Sequence, residues 1–242
     1  MNYYYLFVVC LLISIFIYCQ IRIHRKFETD YQILQVSDPE KNILEDTINQ
    51  KYPTVLTDVV VRWKGVRDLE PNIVQKEGNK LLSNPKFVKL LNKYFNYYHM
   101  PMSISRHYSL KHYNKGDTQY ITRQNEFRFY IVQIHGESRF ILFSPQEEKY
   151  LYATKDRKVS KLNFWKLNHW DKQIDLKENN NEIIHKKTQY LKKFPKFNKA
   201  KYIEVVLHPG NMFYIPYNWW YTSYSIDENI RISASSRNMF SW

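Results

Sequence analysis

The sequence predicts an all-β core, a barrel or sandwich, with flanking α-helices and one N-terminal membrane-spanning helix ahead of it. Three observations carry this. From Thr122 onward, short β-branched and aromatic runs alternate with Gly, Pro and Asp punctuation. Ahead of them, two segments have helical signals rather than a period of two. At the extreme N-terminus, Tyr3 to Ile23 is an apolar run broken only by Gln20 and Arg22 near its end. Helices first and many strands afterwards point to a β-sandwich or barrel with helical decoration.

In chain order, residues 1–26 form the expected anchor. About 18 to 20 apolar residues cross a bilayer core, and this run reaches that length. Arg22, Arg25 and Lys26 follow it and no Lys or Arg precedes it, the reverse of a cleavable signal peptide. The positive-inside rule then keeps the downstream domain in the cytosol. Residues 27–36 read as a connector. The folded domain occupies 37–242, opening with capping-box spacing at Ser37-Asp38-Pro39-Glu40 and a helix to about Gln50. Thr54 to Val61 reads as a strand. Asn84-Pro85 starts a second helix whose apolar face is Phe87, Leu91, Tyr94, Phe95 and Tyr98. Strands are expected at Arg128 to Ile134 and Ser138 to Phe143 around a Gly136 turn. Further strands follow at Tyr202 to Leu207, Met212 to Ile215, Trp219 to Ile226 and Ile230 to Ser235. Between them, about 146–201 reads as a lysine-rich insertion over the barrel.

Composition narrows the chemistry. With 44% hydrophobic and 17% aromatic residues the chain can bury a full core. Lys and Arg total 36 against 23 Asp and Glu, a formal charge of +13 that favours polyanionic neighbours or is simply surface lysine. Five scattered glycines, at 65, 78, 116, 136 and 210, form no phosphate-cradling loop. There is no Gly-x-Ser-x-Gly elbow and no His-Glu-x-x-His helix. The two cysteines, Cys10 and Cys19, lie in the apolar run, so the domain has no cysteine for a disulfide or zinc site.

Three segments carry a resemblance. They are VQIHGESRFILFSPQEEKYLY at 132–152, VVLHPGNMFYIPYNWWYTSYS at 205–225 and KYPTVLTDV at 51–59, with FPKF at 194–197 as a minor fourth. Together they resemble the cupin-like branch of JmjC proteins, near the factor-inhibiting-HIF-type asparaginyl hydroxylases. The resemblance spans roughly 35–240 and implies a cupin, or double-stranded β-helix, barrel. It also implies an iron(II)/2-oxoglutarate oxygenase site: a His-x-Asp pair thirteen residues before the strand-turn glycine, a His after the paired tryptophans, and a lysine two residues past the glycine.

On this chain the His-x-Asp positions fall on Arg123 and Asn125, the distal His position on Tyr221 and the lysine position on Ser138. Arginine has no free lone pair and stays protonated, so it would repel iron. Asparagine offers only a neutral carbonyl oxygen, and a tyrosine ligand needs its phenol deprotonated against a reference pKa of about 10. A one-residue slip would bring in Glu126, but strand alternation turns it to the other face. The same alternation turns Arg139 away from the vacant lysine position. Arg123 and Asn125 are expected to share the face of Tyr221 and to fill the iron space. Arg123 would then take an anionic partner, either a protein carboxylate or a bound ligand. Trp219 and Trp220 read as barrel wall, and His99, His107, His112, His135 and His208 as ordinary turn or connecting residues.

Neither iron nor 2-oxoglutarate is therefore expected as cofactor. The expected function is a non-catalytic relative of the hydroxylases, binding a peptide or protein in its groove at a membrane face. The alternative is an active hydroxylase or demethylase-type oxygenase with altered ligands. A third element is electrostatic: Lys186, Lys187, Lys192, Lys193, Lys196, Lys199 and Lys201 could touch anionic lipid, with Phe194 and Phe197 dipping into the interface. Nucleic acid is not an expected partner, because no recognition module is legible.

Overall fold

The computed structural model describes residues 2–25, 31–37, 41–99, 103–167 and 192–237. In chain order the elements are α1 (Asn2–Arg25), β1 (Leu34–Ser37), α2 (Lys41–Asn49), β2 (Thr54–Thr57), α3 (Pro71–Ser83), α4 (Pro85–Phe95), β3 (Ser105–Tyr113), β4 (Thr122–Arg123), β5 (Arg128–His135), β6 (Ser138–Phe143), α5 (Phe164–Leu167), β7 (Ile203–Leu207), β8 (Met212–Tyr214), β9 (Trp220–Ser225) and β10 (Asn229–Arg237). Two sheets face each other. One has the order β1-β2-β8-β5-β10-β3, the other β4-β9-β6-β7.

Strand alternation divides the apolar residues into three layers. Leu110, Tyr130, Val132, Met212, Ile230 and Ile232 leave the six-stranded sheet outward and pack on Leu44, Trp63, Val74, Phe87, Leu91 and Phe95 of the helical side. Val55, Ile131 and Phe213 point between the sheets and meet Phe140, Leu142, Val205, Leu207 and Trp219. Ile141, Phe143 and Trp220 leave the four-stranded sheet outward, beneath Leu151, Leu162, Phe164, Trp165, Phe194 and Phe197. The described ends of the 146–201 segment therefore contribute core rather than merely lying over it.

The turn at Gly136 sets this layering. β5 pairs with β8 and β10, whereas β6 pairs with β7 and β9. The chain thus crosses from one sheet to the other, and His135 sits at a corner between sheets, not in a hairpin. Gly136 has φ +62, and a Cβ there would lie 2.1 Å from the Glu228 carbonyl oxygen, so only glycine fits. Gln133 braces the corner by donating Nε2 to the carbonyls of His135 (2.7 Å) and Gly136 (2.8 Å).

Helix α4 starts where expected: the Asn84 side chain accepts from the Lys86 N–H at 2.9 Å, and Phe87, Leu91 and Phe95 are buried. β2 ends sooner than expected. Asp58 takes φ +61, and Val60–Arg62 turn into a 3-10 segment. Four elements were not legible in advance: β1 within the connector, α3, β3 in what reads as connecting sequence, and the short α5 in the 146–201 segment. The capping residues 38–40 lie outside the described residues.

Helix α1 exposes its apolar side chains from Tyr4 to Tyr18, but its side chains are described only from Tyr4 to Cys19. Among the described residues no helix is long and apolar enough to cross a membrane, so the expected span gains no support there.

The helical layer is tied to the sheet by Arg128, whose guanidinium donates to both carboxylate oxygens of Glu45 (2.6 and 3.2 Å) and to the carbonyls of Tyr98 and His99. Beside it the His99 Nε2 lies 2.7 Å from the Tyr108 hydroxyl, which donates to Asn92 Oδ1. Burial first, then Arg106 and Arg128, lower the His99 pKa to about 4. The fold therefore holds His99 neutral while the unfolded chain protonates near 6.5. Its contribution to stability is fully present above about pH 6.5 and is lost as pH falls toward 4, a loss on the order of 3 kcal/mol. Acid unfolding of the wild type should show this window, and His99→Gln should flatten it. An identical pH profile in the variant would refute this assignment.

Candidate functional site

The four family positions do not form one cluster. β4 and β9 pair with Thr122 opposite Tyr221 and Arg123 opposite Trp220. Cross-strand partners share a face, so Arg123 lies on the face of Trp220 and Tyr221 on the opposite one. The expected convergence of Arg123 and Tyr221 is thereby corrected. Arg123 donates to Asn218 Oδ1 at 2.8 Å and lies 3.6 Å from Glu148, whose other carboxylate oxygen is 3.6 Å from Arg157. Its anionic partner is a protein carboxylate outside the barrel. Asn125 is exposed beyond the end of β4. Glu126 is held by Arg237 in a bidentate pair, and Arg139 pairs with Glu204 at 3.2 Å.

Ser138 is fully buried, and its hydroxyl donates to Gln133 Oε1 at 2.9 Å, so it belongs to the corner brace. Tyr221 does face the interior. Enclosure pushes its phenol up to about 12, with neighbouring Tyr113 adding to the rise, so it stays protonated near neutral pH. Among the described residues no group of three His, Cys, Asp or Glu could hold a metal. A cation outside the barrel, an exposed amide and a protonated phenol do not fit iron, and a committed serine hydroxyl does not fit the cosubstrate carboxylate.

The interior is nonetheless polar at one end. A cavity of about 70 Å³ lies between the sheets, bordered by Lys111, Tyr113, Gln119, Tyr221, Arg231 and Ser233. Arg231 is only 4% exposed. Its guanidinium donates to Ser223 Oγ (2.8 Å), Asn229 Oδ1 (3.0 Å) and Ser225 Oγ (3.3 Å), and sits 3.7 Å from the Tyr113 ring centroid. Burial pulls its pKa down to about 10, with Tyr113, Tyr221 and Asp117 opposing. Gln119 donates to the Tyr113 hydroxyl and accepts from Ser223, closing the network. Sequence reasoning missed Arg231 and Lys111. The available signal was a charged residue between Ile230 and Ile232 in a strand buried on both faces.

Trp219 and Trp220 are walls, on opposite faces of the second sheet. Phe194 and Phe197 are buried against Tyr152, Phe143 and Phe164, so they do not reach toward a lipid surface as expected. Lys192, Lys193, Lys196, Lys199 and Lys201 are exposed around them; Lys186 and Lys187 lie outside the described residues.

Two facing sheets joined by a glycine corner, with helices packed on the larger one, define a double-stranded β-helix barrel of the JmjC-like type. The chain belongs to the cupin-like domain family, whose pattern it matches over residues 98–234. It is 30% identical over 106 residues to human HSPB1-associated protein 1, covering 44% of this chain and 18% of that protein. It is 26% identical over 121 residues to zebrafish (Danio rerio) lysine-specific demethylase 8, covering 50% and 25%. It is 22% identical over 109 residues to zebrafish tRNA wybutosine-synthesizing protein 5, covering 45% and 26%. The chain thus spans only about a fifth to a quarter of the length of these curated relatives.

The opposed faces predict that restoring the motif by residue type will not restore the site. The triple variant Arg123→His, Asn125→Asp, Tyr221→His should take up no stoichiometric iron(II) by metal analysis after loading. One bound equivalent would show that the three positions converge after all.

Proposed function

We propose that this chain is a membrane-anchored, iron-independent binding module built on the oxygenase barrel, taking a peptide or protein partner at its groove. The observation that carries this reading is the separation of Arg123 from Tyr221 across the second sheet, with Ser138 committed to Gln133. The facial triad needs three ligand side chains around one point, and these positions offer one protonated phenol. The anchor reading draws on the exposed apolar side chains of α1 and on Arg22, Arg25 and Lys26 behind it, an order that favours a cytosolic barrel by the positive-inside rule. The exposed lysines from Lys192 to Lys201 suit contact with anionic lipid. The second reading, an oxygenase with altered ligands, draws on kinship with a protein named as a demethylase.

The purified full chain, loaded anaerobically with iron(II) and then supplied with oxygen and 2-oxoglutarate, decides between these readings. Iron well below one equivalent and no succinate release are expected. Stoichiometric iron with turnover would replace the binding module by the altered-ligand enzyme.

For the membrane part, the chain is inserted into sealed vesicles containing phosphatidylserine. External protease should digest the barrel, and association of a variant lacking residues 1–26 should be lost in high salt and in the glutamine variant of the five exposed lysines. Full protection of the barrel would refute the orientation, and salt-insensitive binding would refute the lysine contact.

A further inference from the structure

We propose that a depression on the outside of the barrel, in the segment covering the smaller sheet, binds a multiply phosphorylated headgroup through Lys149, Lys155 and Arg157. This rests on the anionic-lipid contact proposed above and names the chemistry that contact selects. The depression has a volume of about 570 Å³ and is bordered by Gln146, Glu148, Lys149, Thr154, Lys155 and Arg157. Small-molecule sites occupy roughly 300–1,000 Å³, so a phosphorylated ring fits. The interior cavity and Arg231 take no part.

The acids of this segment are already engaged. Glu147 accepts from the Lys201 N–H at 2.8 Å, and Asp156 from the Lys158 N–H at 3.3 Å. Glu148 lies 3.6 Å from both Arg123 and Arg157, so two guanidiniums share one carboxylate and a positive charge is left over. Among the described residues Lys149, Lys155 and Lys158 form no ion pair, and all three are exposed. The backbone fixes where Arg157 stands. Its φ of +53 is left-handed, its N–H donates to the Thr154 carbonyl at 2.9 Å, and the Thr154 N–H donates to the Val159 carbonyl at 2.8 Å. A side-chain-bearing residue holds that conformation only where neighbouring bonds impose it, so the closed loop presents this arginine at the rim.

The lining narrows the ligand. Its apolar part is Pro145 and Ala153, which suits a charged group and not an acyl chain. No aromatic side chain is among the described lining residues, so nucleic-acid bases find no stacking platform there. A single phosphate engages one or two of the cations, whereas several phosphates on one ring let Lys149, Lys155 and Arg157 act together. The guanidinium takes a phosphate edge-on and the lysines act as point charges. The site also adjoins the lysines proposed to touch lipid. The Lys196 N–H donates to the Tyr152 hydroxyl at 2.9 Å, joining the 192–201 stretch to this segment. Clustered cations of this kind select multiply charged headgroups over singly charged ones.

Calorimetric titration of the full chain in nonionic detergent tests this. The probes are short-chain phosphatidylinositol bisphosphate, soluble inositol trisphosphate, short-chain phosphatidylserine and inorganic phosphate. Both inositol probes should bind at least tenfold more tightly than the other two. Equal affinity for the two inositol probes would support a free inositol phosphate as the source, and a preference for the lipid form a membrane source. The double variant Lys149→Gln, Lys155→Gln should weaken both at least tenfold, and Arg157→Gln several-fold. The glutamine variant of the five exposed lysines from Lys192 to Lys201 should keep most of its trisphosphate affinity. No binding of either inositol probe, unchanged affinity in the double variant, or a single-stranded oligonucleotide bound more tightly would each overturn the proposal. Phosphatidylserine bound as tightly as the bisphosphate would overturn it and leave the anionic-lipid contact standing. Salt-insensitive vesicle binding beside intact trisphosphate binding would overturn the lysine contact alone.

Discussion

The corner at Gly136 constrains both the architecture and the chemistry of this barrel. There the chain leaves β5 in the larger sheet and enters β6 in the smaller one, through a left-handed glycine lying too close to the Glu228 carbonyl for any side chain. Gln133 holds the corner by donating to the carbonyls of His135 and Gly136. It also accepts from Ser138, and in doing so draws the family's cosubstrate position into structural duty. A lysine at 138 would lose that hydroxyl and its bond to Gln133.

The electrostatics of the interior follow. In an iron-dependent barrel, the metal's charge balances anionic ligands and cosubstrate. Here the interior charge is the guanidinium of Arg231, supported by hydroxyls, an amide and an aromatic face. Neutral acceptors stabilise such a cation less than a carboxylate would, and burial pulls the Arg231 pKa down. Arg123, by contrast, is compensated by Glu148 on the outer face and leaves the interior unaffected. The two arginines thus divide what sequence reasoning assigned to one.

Much of the fold was legible because local signals agreed with tertiary ones. Asn84-Pro85 caps α4 and its three-and-four spacing buries Phe87, Leu91 and Phe95, while the strands from β5 onward follow β-branched runs between turn residues. What stayed hidden has physical causes. β3 was unreadable because its inward residues Ser109, Lys111 and Tyr113 line a polar cavity, which removes the usual apolar alternation. β1 is four residues in parallel pairing with β2, a contact with no local signature. Helix α3 carries Gly78 in its interior, which weakens the helical pattern. A glycine turn between two strands reads the same whether the strands pair with each other or cross between sheets. Alternation was expected to aim Arg123 and Asn125 at one face, but β4 ends at Arg123, and the β4–β9 register that sets Arg123 opposite Trp220 is a long-range property.

The account centres on a barrel whose interior is organised by Arg231 and not by a metal. The most direct test is a crystal structure of the chain grown with manganese(II) and succinate, with anomalous data collected at the manganese edge. No anomalous peak inside the barrel is the expected result. A full-occupancy manganese peak within bonding distance of Tyr221 would contradict it.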